Sequence, residues 1–60
     1  MKELDVVSTK VVVGNLPIGS VGTIVYDLSD TVKMVEFLGD TSEFHNILVS
    51  DLELVKSYND

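Results

Sequence analysis

Apolar and polar positions alternate along most of this 60-residue chain or gather into short β-branched runs. No window keeps apolar residues at i, i+3, i+4 and i+7 through three turns of helix, so the pattern predicts an all-β protein. A first strand is expected from Asp5 toward Val13, its second half able to form a long loop instead, with Gly14-Asn15 as a turn pair. A second runs from Gly22 to Leu28 and stops at Ser29-Asp30-Thr31, whose side chains can bond their own backbone in a turn. The hairpin continues into Val32–Leu38. There a period of two sets Lys33, Val35 and Phe37 on one face, with Val35 and Phe37 inward, and Val32, Met34 and Glu36 on the other. After a turn at Gly39-Asp40-Thr41-Ser42, a fourth strand is expected over Glu43–Val49, with Phe44, Asn46 and Leu48 opposite His45 and Ile47 and either face able to be inside. Ser50-Asp51-Leu52 suits one 3₁₀ turn opened by a polar cap, followed by a brief strand Glu53-Leu54-Val55.

The segment from Leu16 to Tyr26 is the most specific punctuation in the chain. Pro17 fixes its own φ and biases Leu16 toward extended geometry, and Gly19 and Gly22 permit either a positive φ or close backbone approach. The segment therefore reads as a loop feeding a tightly bent strand.

Five short strands, a long first connection and a one-turn 3₁₀ link before the last strand are the pattern of a small five-stranded SH3-like barrel. One domain is expected over residues 1–56, with a frayed tail over 57–60. Leu4-Asp5-Val6-Val7, Leu16-Pro17, Val21-Gly22-Thr23-Ile24-Val25, Val35-Glu36-Phe37 and Asp51-Leu52 resemble a bacterial family of small SH3-like proteins catalogued as a domain of unknown function. The resemblance covers most of residues 4 to 55. The chain departs from that pattern where Asp30-Thr31 stands in place of the usual glycine between strands two and three, and in a shorter segment after Val7. The resemblance implies the barrel and no catalytic residues. It also implies pairing with separately encoded neighbours, toxin-like proteins among them.

Size and charge narrow the function classes. A 60-residue chain hides only about 60% of the surface its unfolded form exposes, and a single core of this size supplies about 3–5 kcal/mol. There is no cysteine for a disulfide and a single histidine, so self-association or a partner is the remaining route to extra stability. The lack of cysteine, of a basic-then-apolar leader and of an apolar run near 18 residues reads as a soluble, cytoplasmic protein. Ten acidic against four basic side chains give a net charge of −6, and Lys2, Lys10, Lys33 and Lys56 are scattered. Phosphate-backbone affinity needs clustered Lys and Arg, so neither nucleic acid nor a membrane is an expected partner. The acidic balance suits steering toward a basic protein, although on charge alone ordinary solubility explains it better.

Chemistry-bearing residues are sparse. Ser8, Ser42 and Ser50 are the candidate hydroxyl nucleophiles and His45 the sole imidazole; a surface strand or rim position explains His45 better than a ligand or base does. Asp27 and Asp30 flank a hairpin, where turn formation accounts for them better than a calcium site or a glycosidase pair. The two glycines lack the Gly-Lys-Ser/Thr ending of a phosphate loop. No catalytic, cofactor or metal residue is therefore assigned.

Apolar residues that a narrow barrel cannot hide are the better lead. Val11–Val13 with Leu16 and Ile18 either cap the barrel end or form an exposed patch. Tyr26, Val32 and Met34, with Phe44 near them and the acids Asp27, Asp30 and Glu36 at their rim, compose the expected partner-binding surface. The expected function is a non-enzymatic interaction module, antitoxin- or immunity-like, that binds a basic protein through steering and apolar docking. An accessory enzyme subunit or a self-assembling homo-oligomer is the alternative.

Overall fold

A computed structural model describes residues 1–38 and 44–58. It contains five strands, β1 (Val6–Thr9), β2 (Val21–Asp27), β3 (Val32–Phe37), β4 (His45–Leu48) and β5 (Leu52–Lys56), and one 3₁₀ turn, η1 (Val49–Asp51). All pair antiparallel in one sheet of order β4-β3-β2-β1-β5. The expected turn Gly39–Ser42 and the start of the fourth strand at Glu43 lie outside the described residues.

β4 and β5 end the sheet on opposite sides and share no ladder among the described residues, so the closed barrel is corrected to an open sheet. The sheet is nevertheless strongly curled. Strands lie about 4.8 Å apart, which would put β4 roughly 19 Å from β5 in a flat sheet. η1 joins them with three residues, each rising about 2 Å in 3₁₀ geometry. Only a sheet rolled back on itself brings those edges within reach.

The inner face carries the core: Val7, Ile24, Val35, Phe37, Ile47 and Leu52. Across the ladders, Phe37 lies beside Gly22 and Gly22 beside Val7. The two glycines of the punctuating segment prove to have different reasons. Gly19 sits at φ +89° in the turn that Ser20 closes by donating its N–H to the Pro17 carbonyl at 3.2 Å. Gly22 is required by packing, since a Cβ there would stand 2.7 Å from the Glu36 carbonyl oxygen and 2.9 Å from the Phe37 ring.

The long connection after β1 folds back in part. Val13 and Leu16 exchange backbone hydrogen bonds of 3.0 and 2.7 Å around Gly14-Asn15 and pack against the core, whereas Val11, Val12 and Ile18 stay exposed. The capping and exposed-patch alternatives are thus divided between neighbouring residues. Because that connection leaves the sheet at Lys10, β1 is four residues long and does not reach Val13.

η1 starts one residue earlier than expected. Its N-cap position is Leu48, with no side-chain cap bond, and Val49 at the first position of the turn donates its N–H to the Thr31 carbonyl at 2.8 Å.

The chain ends are clasped by a buried carboxylate. Asp5 accepts a 3.0 Å bond from the Lys2 amide on Oδ2 and another from the Tyr58 amide on Oδ1. Leu4, at φ +73°, donates its N–H to the Ile24 carbonyl at 2.7 Å, and the local strain of that backbone is held by the clasp. The backbone is thus tied to Asp5 as far along as Tyr58. The Tyr58 amide, opposed in part by desolvation and helped by the Lys2 amide and the nearby positive charges, holds the Asp5 carboxyl below its ordinary range.

Two outcomes follow from these contacts. Gly22→Ala should lower stability by about 1–3 kcal/mol in urea denaturation, because its Cβ meets backbone that cannot move aside. Asp5→Asn should lower neutral-pH stability by about 1–3 kcal/mol. A carboxyl whose folded pKa is depressed stabilises fully above its unfolded value and loses that contribution as pH falls through the folded one. Wild-type stability should therefore drop below about pH 4, and Asp5→Asn should flatten that limb.

Candidate functional site

The expected partner-binding residues come from β2, β3 and the hairpin between them. The ladder sets Tyr26 opposite Met34 and Thr23 opposite Glu36; β4 adds Asn46 opposite Met34 and Leu48 opposite Val32. Directly opposed residues share a face, so Tyr26, Val32, Met34, Glu36, Asn46 and Leu48 stand together on the outer side. Val32, Met34 and Glu36 are half-buried, while Tyr26 is 54% exposed and Leu48 50%.

A β-bulge at Val25 produces this grouping. β2 advances two residues, from Ile24 to Tyr26, while β3 moves one, from Val35 to Met34. Ile24 is fully buried, so strict alternation would bury Tyr26 as well. The extra residue reverses the parity: Tyr26 turns outward and Asp27 turns to the inner side, opposite Lys33.

Asp27 is thereby parted from the other expected site residues. Lys33, only 4% exposed, has its ammonium bonded at 2.5 Å to both Asp27 Oδ1 and the Ser29 carbonyl. A buried ammonium without partners would be expensive, and these two oxygens are what permit Lys33 to share a face with Val35 and Phe37. Asp30 is exposed in the hairpin. Ser29 organises that turn as expected, its Oγ accepting the amides of Thr31 at 3.3 Å and Val32 at 3.1 Å.

Ser8 and His45 are not brought together. Ser8 lies on β1, opposite Val21 and Glu53, while His45 lies on β4 opposite buried Val35, three strands away. The His45 ring meets Phe37 edge-on, with centroids 5.6 Å apart. Ser50 lies in η1, and Ser42 is outside the described residues. Among the described residues no three His, Asp or Glu side chains gather as a metal site, and no helix is long and apolar enough to cross a membrane.

Leu48 and Asn46 are the members of the outer face that sequence reasoning did not single out. Their parity with Phe44 was legible; the missing information was which side of β4 packs inward, decided by Ile47 entering the core.

No family model, curated protein or solved structure matches the chain.

The Lys33 pair gives a clear mutational order. Asp27→Ala strands a buried ammonium and should cost about 1–3 kcal/mol in thermal or urea unfolding. Lys33→Met keeps much of the apolar stem and leaves Asp27 able to reach water, so it should cost less than Asp27→Ala.

Proposed function

We propose that the chain is a non-enzymatic protein-binding module on an SH3-like half-barrel, and that its partner is a basic protein docked on the outer face of β2, β3 and β4. The order β4-β3-β2-β1-β5, the curl and the 3₁₀ turn before the last strand support the SH3-like assignment. The resemblance to the bacterial family of SH3-like proteins agrees with it and favours an antitoxin- or immunity-like role in the cytoplasm.

The single observation that carries the functional proposal is the outer face itself. Tyr26, Val32, Met34 and Leu48 form a contiguous apolar stripe beside Glu36, on a chain of net charge −6. Asp27 is committed to Lys33, so among the three expected rim acids the steering charge falls to Glu36 and Asp30.

Affinity capture of the tagged chain, followed by native mass of the eluate, tests this directly. The expected result is a stoichiometric complex with one basic protein, abolished by the double variant Tyr26→Ser/Met34→Ser. Elution as an enzyme complex would favour the accessory-subunit role, and elution as a symmetric oligomer would favour self-assembly. Once the partner is in hand, Glu36→Lys combined with Asp30→Lys should slow association about tenfold at low salt and flatten its dependence on ionic strength. An unchanged association rate would remove the steering role.

A further inference from the structure

The sheet has two edges, and they are built differently. β5 is blunted by the devices that usually protect an edge: a bulge, at the shift from Val7↔Leu54 to Val6↔Lys56, and two charged residues, Glu53 and Lys56. β4 reads His-Asn-Ile-Leu, with no Lys, acid or proline and no shift in its ladder with β3.

The direction of the β4 backbone groups follows from the adjoining bond. Val49 donates its N–H to Thr31, two positions along the register from the Ile47–Lys33 pair. Hydrogen-bonded pairs recur at every second residue of an antiparallel ladder. Ile47 and His45 are therefore bonded to β3; the main-chain N–H and C=O of Asn46 and the N–H of Leu48 point away from it, while the Leu48 C=O opens η1 as its N-cap. Their exposed side chains lie on the outer face, continuous with Met34 and Val32.

Charge selects the occupant. From Met34 to Leu52, the stretch that contains β4 and η1, the sequence has four acidic residues, Glu36, Asp40, Glu43 and Asp51, and no Lys or Arg. The preceding cation, Lys33, is buried against Asp27. Lys10, whose amide bonds the Asp51 carbonyl, and Lys56 stand along the β5 side. A second copy at β4 would set one acidic run against another, whereas a basic strand would be attracted.

We propose that β4 is a docking edge that accepts an extended, basic segment of the partner as a sixth strand, main-chain bonded to Asn46 and Leu48 and placing apolar side chains beside Leu48. The proposal rests on the partner-binding role of the outer face and names how that partner engages it.

The test uses the full chain and the terminally blocked peptide Lys-Val-Thr-Val-Thr-Val-Lys, followed by amide NMR shifts and hydrogen exchange. Binding should shift and protect the Asn46 and Leu48 amides, leave β5 amides unchanged and weaken with salt. The same peptide N-methylated at alternate residues should bind about tenfold more weakly or worse, as should the Asn46→Pro variant, whose lost N–H makes no bond to β3. The Glu-flanked peptide should not bind. Absence of binding by the Lys peptide at millimolar concentration would overturn the proposal. So would shifts confined to Tyr26 and Met34, which would leave the outer-face role intact. Dimerisation of the chain alone, with Asn46 and Leu48 protected, would assign the edge to a second copy and overturn the basic-strand occupant. Failure of the outer-face role itself would appear separately, as a captured partner indifferent to Tyr26→Ser/Met34→Ser.

Discussion

The three-residue step from β4 to β5 governs the rest of this fold. It joins the two outermost strands of a five-stranded sheet, so the sheet has to roll until the end of β4 and the start of β5 are neighbours. Rolling leaves an interior too narrow for a full complement of large side chains. Phe37 fills it across Gly22, at a position where even a methyl group would collide with backbone. Val13 and Leu16, joined by a small bridge, pack against this core from the long connection.

A narrow interior also explains why polar groups take part in its walls. Lys33 enters the inner face because Asp27 and the Ser29 carbonyl receive its ammonium, and Asp5 is buried because two backbone amides point at its oxygens. Each makes a long-range or hairpin connection where apolar area is scarce: Asp5 joins the two chain ends, and Lys33 binds the β2–β3 hairpin. In a chain of this size, with no disulfide available, such satisfied buried charges replace the crosslinks that other small domains use.

The same economy shapes the surface. The bulge at Val25 serves both sides of the sheet at once, sending Asp27 inward to Lys33 and Tyr26 outward to Met34. A structural ion pair and an exposed aromatic are therefore two consequences of one inserted residue. A bulged, charged β5 and an uncharged, regular β4 make the two ends of the sheet unlike, and the β4 end adjoins the apolar stripe.

Much of this was legible in the alternation of residues. The all-β class, the succession of five strands along the chain, the Ser29 turn, the inward Val35 and Phe37 and the outward Val32, Met34 and Glu36 follow from local propensity and a period of two, which require no knowledge of neighbouring strands. Other features depend on pairing between residues distant in sequence. The parity reversal at Val25, the inward side of β4, the Tyr58 amide on Asp5 and the division of Val12 from Val13 all arise only when strands meet in a particular register. The sheet's failure to close is of the same kind. Periodicity specifies which residues share a face, whereas the number and curvature of the strands decide whether that face closes on itself.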